Sequence, residues 1–321
     1  MIVKKSLLAS LFLMVIFWDT AQAQQDAQYT QYMFNTMSVN PAYAGSRGQL
    51  SIAGLYRSQW VGLDGAPQSF TFNLHSPVRN SNIGYGLSIV NDKIGEGTVQ
   101  ETYIDGLISY TVDVSLTGKL SFGLKVGGNL LNLDYERLRQ RNDPQFQEIV
   151  ATDNIENRFS PNIGLGVYYH TNKFYAGLSA PNLLETEHFD NENSDANEID
   201  FLAKDRVNFY LITGYVFDLN DNLTLKPALL TKVVGGAPLQ VDVSANFLFA
   251  EKFSFGAAYR WDAAVSALAG FQLTDQIMLG LAYDREITDF GAQQFSSGSF
   301  EVFLRWELLR SFEKLVSPRF F

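Results

Sequence analysis

The chain has 321 residues, of which 46% are hydrophobic, 14% aromatic and 18% charged, and its formal net charge is −10. This aromatic content excludes a disordered chain. The absence of cysteine excludes disulfide scaffolds, thiolate metal sites, thiol catalysis and a lipid anchor on an N-terminal cysteine, and the acidic balance argues against nucleic-acid binding. A mean hydropathy of −0.05 fits a soluble globule, and it also fits a membrane protein whose strands alternate apolar and polar residues.

The N-terminus has the pattern of a secretory signal peptide. Lys4 and Lys5 precede an apolar run over 7–18, and Ala-Gln-Ala follows at 21–23. A run of this length is short for a bilayer-spanning helix, which needs about 20 residues. We therefore predict that residues 1–23 are cleaved during export, the alternative being a buried N-terminal helix.

The rest of the chain is dominated by alternation with a period of two residues. Ile83, Tyr85 and Leu87, for example, are separated by Gly84 and Gly86, which in a strand puts the large side chains on one face. Helical spacing fits poorly, because glycine at alternate positions weakens a helix. Fourteen segments are predicted as strands, near 48–60, 67–78, 82–92, 98–114, 118–132, 159–170, 173–180, 205–218, 222–233, 238–250, 253–262, 264–273, 276–285 and 298–309.

Charged residues of these segments fall opposite the apolar face. Lys125, for example, alternates with Leu124 and Val126. A charge facing lipid at the membrane midplane costs about 2–4 kcal/mol, so a barrel keeps its charges in the lumen. Any amphipathic sheet would show this pattern, and a soluble β-sandwich remains open on this evidence alone.

The lengths of the connections favour a membrane barrel. Links after even-numbered segments have two or three residues, whereas three links after odd-numbered segments are long, namely 133–158, 181–204 and 286–297. Short turns on one side and long loops on the other are typical of outer-membrane barrels, and an even strand number places both termini on the periplasmic side. The predicted fold is all-β, with a transmembrane antiparallel β-barrel of about 14 strands over 48–309, an N-terminal periplasmic arm over 24–47 and a short periplasmic tail over 310–321.

No motif of an enzyme, cofactor site or metal site is present. His75, His170 and His188 are far apart and lack ligand spacing. The loop 185–200 holds seven acidic residues and no lysine or arginine, so weak Ca²⁺ binding and a merely solvated loop are both open. We predict no catalysis and no cofactor.

The arm is rich in aromatic residues and methionine and has almost no charge. Such a segment does not stay solvated. We expect it to bury its large side chains, either in the barrel lumen or in a partner protein. These side chains are Tyr29, Tyr32, Met33, Phe34 and Tyr43.

Three motifs resemble the PorP/SprF family of outer-membrane proteins of the type IX secretion system. The first runs through Gln-Tyr-Met-Phe-Asn at 31–35 and Asn-Pro-Ala-Tyr-Ala-Gly at 40–45, the second is Tyr-Arg-Ser-Gln-Trp-Val-Gly-Leu-Asp-Gly-Ala-Pro at 56–67, and the third is Ser-Pro-Arg-Phe-Phe at 317–321. The resemblance implies a role in secreting or displaying large cargo such as gliding adhesins. It also implies partners: type IX components, cargo C-terminal domains and peptidoglycan-linked periplasmic proteins.

On this interpretation the protein is an accessory barrel in the outer membrane, in contact with its lipid, whose arm and tail dock components of the secretion machine. The predicted docking residues are Tyr29, Tyr32, Met33, Phe34, Asn40, Pro41, Tyr43, Arg57, Trp60, Arg319 and Phe321. The alternative is a diffusion channel or solute transporter, because a barrel of 14 strands is wide enough to carry solute unless its lumen is filled. Lumen charges of both signs could pair across a closed interior or line a pore.

Overall fold

A computed structural model describes residues 28–134, 136, 154–184, 207–235, 237–288 and 297–308. The strands among these residues form one antiparallel sheet. Its strands are β1 (Leu50–Ser58), β2 (Gln68–Pro77), β3 (Ile83–Ile94), β4 (Val99–Asp113), β5 (Lys119–Leu133), β6 (Ile155–His170), β7 (Phe174–Ala180), β8 (Asn208–Tyr215), β9 (Phe217–Asn220), β10 (Leu223–Val234), β11 (Gln240–Phe249), β12 (Phe253–Arg260), β13 (Ala264–Gln272), β14 (Ile277–Glu286) and β15 (Ser299–Leu308).

The sheet closes on itself. The first strand, β1, pairs with β2 on one side and with β15, the last described strand, on the other, with Leu50 opposite Leu308. Both β8 and β9 pair with β10 and are separated only by Val216, so together they form one interrupted strand of a 14-stranded barrel. The predicted all-β antiparallel barrel is confirmed, and the β-sandwich is excluded, because a closed ladder leaves no sheet edge.

The two faces of the barrel differ as the alternation predicts. On β4, Ile104, Ile108 and Tyr110 are exposed outward, whereas Asp105 and Ser109 are buried in the interior. This arrangement keeps charge away from lipid, where each charge would cost about 2–4 kcal/mol at the midplane. The near-zero mean hydropathy is thus the average of an apolar outer face and a polar lumen.

The connections follow the predicted asymmetry. At one end of the barrel the described strands are joined by short turns, such as 171–173 and 250–252. At the other end lie the links 134–154, 181–207 and 287–298. Most residues of these three links, including the acidic loop 185–200, lie outside the described residues.

The arm lies inside the barrel. Its described part, 28–49, contains a short helix α1 (Thr36–Val39) and a 3₁₀ turn, Pro41–Tyr43. The aromatic and methionine side chains of 32–43 form a buried cluster with lumen-facing residues such as Leu55 and Phe303. The structure therefore shows burial in the lumen for residues 28–44, which is one of the two alternatives open from sequence. The prediction that this part of the arm lies in the periplasm was wrong.

The physical reason for this placement is that the lumen offers the arm an enclosed surface of matching polarity, where its aromatic rings leave water and its backbone finds hydrogen bonds.

None of the described residues forms a helix long and apolar enough to cross a membrane. The predicted signal peptide 1–23 and the predicted tail 310–321 lie outside the described residues and remain predictions.

Candidate functional site

The interface between the arm and the lumen is the most elaborate polar and aromatic site in the described part of the chain. At its centre is the Asn-Pro-Ala-Tyr motif. Asn40 caps the 3₁₀ turn, because its side-chain oxygen accepts a hydrogen bond from the backbone N–H of Ala42 at 3.0 Å, and Pro41 occupies the first position of the turn. Asparagine before proline suits this geometry, since the cap satisfies a free N–H and proline has none to satisfy.

The cap residue also fixes the turn to the barrel wall. The side-chain amide of Asn40 donates to the backbone oxygen of Val167 on β6 at 3.0 Å, and the Asn40 side chain is fully buried. The hydroxyl of Ser179 on β7 donates to the backbone oxygen of Val39 at 2.8 Å. The motif thus joins two neighbouring strands to the arm.

A close backbone approach secures the same turn against β5. A Cβ atom added at Gly123 would collide with the backbone of Pro41 and Ala42. Replacing Gly123 with alanine is therefore expected to push the turn off the wall and to lower the free energy of unfolding by about 1–3 kcal/mol. Urea unfolding of the refolded barrel in lipid vesicles measures this loss.

The matched control for that substitution is Gly106→Ala on the lipid face, where an added Cβ meets only the Val126 carbonyl oxygen at 3.7 Å. Gly106→Ala should leave the urea midpoint unchanged. Equal midpoints for the two variants would contradict the close packing of the arm on β5.

Aromatic contacts hold the arm before the turn and within it. Phe34 stacks on Phe303 of β15, with ring centroids 5.0 Å apart. Tyr43 meets Tyr168 of β6 edge to face, with centroids 5.6 Å apart. Such pairs add about 0.5–1.5 kcal/mol each to the burial of their surface.

A buried ion cluster binds the next part of the arm. The Arg57 guanidinium on β1 donates to Asp284 of β14 at 2.6 Å and to Glu301 of β15 at 2.5 Å. The Glu301 carboxylate in turn accepts the backbone N–H groups of Thr30 at 2.6 Å and Gln31 at 2.9 Å. The Thr30 hydroxyl accepts from Arg57 at 3.1 Å and donates to Asp284 at 2.5 Å. The arm therefore adds hydrogen bonds to a network of paired charges that are buried in a low-dielectric site.

A second ion pair lies where the arm joins β1. The Arg47 guanidinium donates to both carboxylate oxygens of Glu307 on β15. Burial alone would lower the pKa of Arg47, but the Glu307 charge outweighs it and raises the pKa. His75 on β2 and Glu307 on β15 both lie opposite Ser51 of β1. The side chain of His75 accepts a hydrogen bond from the backbone N–H of Gly45 at 3.1 Å. His75 therefore helps to anchor the arm.

A cavity of about 100 Å³ remains beside the arm. Its lining combines carboxylates, two lysines and phenol rings on strands β3, β4, β5, β8, β10 and β11, and the arm contributes Gln28, Tyr29 and Tyr32. Among the described residues there is no group of three histidine, aspartate or glutamate side chains placed to hold a metal ion.

The structure gathers most of the predicted docking residues inside the barrel. Tyr32, Met33, Phe34, Asn40, Pro41, Tyr43 and Arg57 are all buried there, and Tyr29 is partly buried. Their predicted contact with a partner protein is therefore not available in this arrangement, because the lumen wall already occupies their surfaces. Trp60 lies on the connection after β1, where its indole N–H donates to Glu286. Arg319 and Phe321 lie outside the described residues.

Sequence reasoning missed the wall residues that receive the arm. Alternation places Glu301 and Asp284 among the lumen charges but gives no sign that they bind the arm, and no pattern distinguishes Phe303. One signal was available, because asparagine followed by proline is a cap pattern that predicts a turn. No pattern in the sequence pairs Thr30 with a carboxylate 271 residues away.

A closed ladder of 14 strands with an apolar outer face and a charged lumen defines an outer-membrane β-barrel protein. Within that class the sequence decides the family. The family described as Type IX secretion system membrane protein PorP/SprF matches residues 21–306, so the chain belongs to this family. The resemblance to this family is thereby confirmed, and the match includes the first two motifs, whereas the third, at 317–321, lies outside it.

Solved structures with a similar fold are distant in sequence. Omp33 of Acinetobacter baumannii is 8% identical with a TM-score of 0.47, and the match covers 81% of this chain and 98% of Omp33. A FadL homologue of Pseudomonas aeruginosa is 13% identical with a TM-score of 0.43, covering 86% of this chain and 93% of that chain. The TodX deltaS2S3 mutant, a monoaromatic hydrocarbon channel, is 10% identical with a TM-score of 0.45, covering 85% and 94%. No curated protein sequence matches the chain.

Proposed function

We propose that this protein is a non-enzymatic accessory barrel of the type IX secretion system that supports the secretion or surface attachment of large cargo, such as gliding adhesins. Membership of the PorP/SprF family supports a role in this system. The observation that carries an accessory role, and not that of a channel, is the filled lumen. In the described part of the chain, the Arg57, Asp284 and Glu301 network ties the arm to the wall, and the side chains of the arm occupy the lumen.

The proposed partners are cargo C-terminal domains on the outer side, with type IX components and peptidoglycan-linked proteins on the periplasmic side. The arm is buried in the lumen, so we propose other surfaces for the partners. These are the outer connections, including the one that carries Trp60, and the tail with Arg319 and Phe321. The outer connections are also the long ones, as expected for surfaces that hold a protein at the cell exterior.

Deleting the gene tests this proposal. In the deletion strain, cargo bearing a type IX C-terminal domain should accumulate inside the cell or appear in the medium, as followed by antibody labelling of intact cells. The full-length gene supplied in trans should restore display. Normal display in the deletion strain would refute the proposed role.

The second candidate function is a diffusion channel or solute transporter. It is favoured only by the cavity of about 100 Å³ beside the arm. The charges of the lumen favour the closed alternative, because Lys125 pairs with Asp105 at 2.9 Å and Arg260 with Asp242 at 2.8 Å. Planar-bilayer recording separates the two, since a steady open conductance of the full chain would support transport.

A further inference from the structure

A row of small residues crosses five neighbouring strands on the lumen side of the wall. Gly84, Ser109, Gly123, Gly166 and Ser179 lie directly opposite one another on β3 to β7, and all five are buried. Glycine and serine leave room for another backbone to approach the sheet closely, so this row forms a trough in the wall. The shape of the trough is set by strand pairing, which is regular through all five positions.

Part of the arm, residues 39–44, lies along this trough. Towards one end, the hydroxyl of Ser109 donates to the backbone oxygen of Ala44 at 2.7 Å. At the other end, the hydroxyl of Ser179 donates to the backbone oxygen of Val39 at 2.8 Å. Both bonds reach main-chain atoms, which every peptide carries. The two ends of the trough therefore bind a peptide through its backbone.

The middle of the trough selects side chains. A Cβ atom added at Gly123 would collide with the backbone of Ala42, and one added at Gly166 would collide with the side chain of Asn40. Asn40 uses both ends of its side-chain amide here, one on the N–H of Ala42 and the other on the backbone oxygen of Val167. Ala42 is itself completely buried. The trough therefore favours asparagine at position 40 and a small residue at position 42.

An aromatic residue also has a defined place beside the trough. The ring of Tyr43 meets Tyr168 and His75 edge to face, with centroids 5.6 Å and 5.5 Å away. Edge-to-face packing of this kind is favourable for an aromatic ring and is lost with an aliphatic side chain. The segment that fits the wall is thus a turn with the order asparagine, proline, small residue, aromatic residue.

The trough lies towards the short-turn end of the barrel. Gly84 is next to the first residue of β3, and Ser109, Gly123 and Gly166 are each four residues from the short-turn end of their strands. In outer-membrane barrels the short turns face the periplasm. The trough is therefore distinct from the ion cluster around Arg57, which lies near the opposite ends of β1, β14 and β15.

We infer that the trough is a peptide-binding site that takes an asparagine-proline turn of this kind from a separate periplasmic polypeptide, with the arm as the ligand that occupies it in this structure. In a second copy of this chain the same segment is buried in its own lumen, so the ligand belongs to a different protein. The inference concerns what the lumen wall recognises, and it is independent of the proposed role in secretion.

Cutting the arm in the folded protein tests this site. We would insert the recognition sequence of a specific protease between Gly48 and Gln49, where Gly48 is exposed, refold the mature chain in detergent and then cut it. The severed arm should stay bound and elute with the barrel in gel filtration. A fluorescein-labelled synthetic peptide of residues 28–45, added in excess, should exchange into the barrel and raise the fluorescence anisotropy.

Competition with unlabelled peptides measures what the trough recognises. The Asn40→Ala peptide should need a concentration about ten- to a hundredfold higher than the native peptide, because it loses the cap and a buried hydrogen bond. A peptide of the same composition with residues 40–45 in reversed order should not compete. In the barrel, Gly123→Ala should weaken binding of the native peptide by about five- to a hundredfold, whereas Gly106→Ala on the lipid face should not change it.

Two results would overturn the inference. If the severed arm is lost in gel filtration and the labelled peptide does not bind, while the mobility of unheated samples on gels shows an intact barrel, the arm is held only by its covalent connection. If the native and reversed peptides compete equally, the trough does not recognise the turn.

Discussion

Deleting residues 28–44 is expected to turn the closed barrel into a conducting pore. The arm fills the lumen with a cluster of aromatic, methionine and aliphatic side chains, and a barrel of 14 strands is wide enough to carry ions once that cluster is gone. Single-channel recording in planar bilayers should show a large, steady conductance for the deleted form and none for the full chain.

A milder variant tests the same point with the chain length intact. Replacing Phe34 and Tyr43 together with serine removes the contacts to Phe303 and Tyr168, so the arm should leave the lumen intermittently and the recording should flicker. Trp261→Ala, which alters an exposed side chain on an outer connection, is the control and should stay silent. Silence of the deleted barrel, with the strands shown to be formed by circular dichroism, would contradict the arm as the barrier.

Arg57→Met is expected to be among the most destabilising single substitutions in this barrel. It leaves Asp284 and Glu301 as neighbouring buried carboxylates without a cation. Removing one partner of a buried ionic network costs about 3–5 kcal/mol, because the remaining charges stay desolvated. Urea unfolding in lipid vesicles, followed by tryptophan fluorescence or by the mobility of unheated samples on gels, measures the loss.

The control for Arg57→Met is Lys173→Met. Lys173 pairs with Asp218 at 2.8 Å, but both side chains are more than half exposed at a short turn. Its hydrogen bond to Asp218, together with the Asp218 charge, raises the pKa of Lys173, yet water screens such a pair and its loss should not move the urea midpoint measurably.

Combining Arg57→Met with Asp284→Asn and Glu301→Gln should restore part of the lost stability, since the uncompensated charges are then gone. A destabilisation by Arg57→Met no larger than that by Lys173→Met would show that the cluster does not hold the arm.

The strands could be predicted from sequence, whereas the position of the arm could not. Alternation is a local property, and a lumen charge such as Lys125 between Leu124 and Val126 identifies both the strand and its inward face. Burial of the arm was also predictable from its composition. Where it is buried depends on contacts such as Thr30 with Glu301, 271 residues apart, and these are set by barrel closure and register.

The ion cluster also has a consequence for the order in which the barrel assembles. Arg57 and Glu301 are cross-strand partners on β1 and β15, the two strands whose pairing seals the cylinder, and the backbone of Thr30 and Gln31 bridges onto that pair from within. Contacts of the arm with β1 and β2 span few residues, as in the bond from Asn73 to Ser38, and can form first. The arm would then act as a template on which the last strand pairs with the first. The strands would close around the arm, and no barrel with an empty lumen would form first.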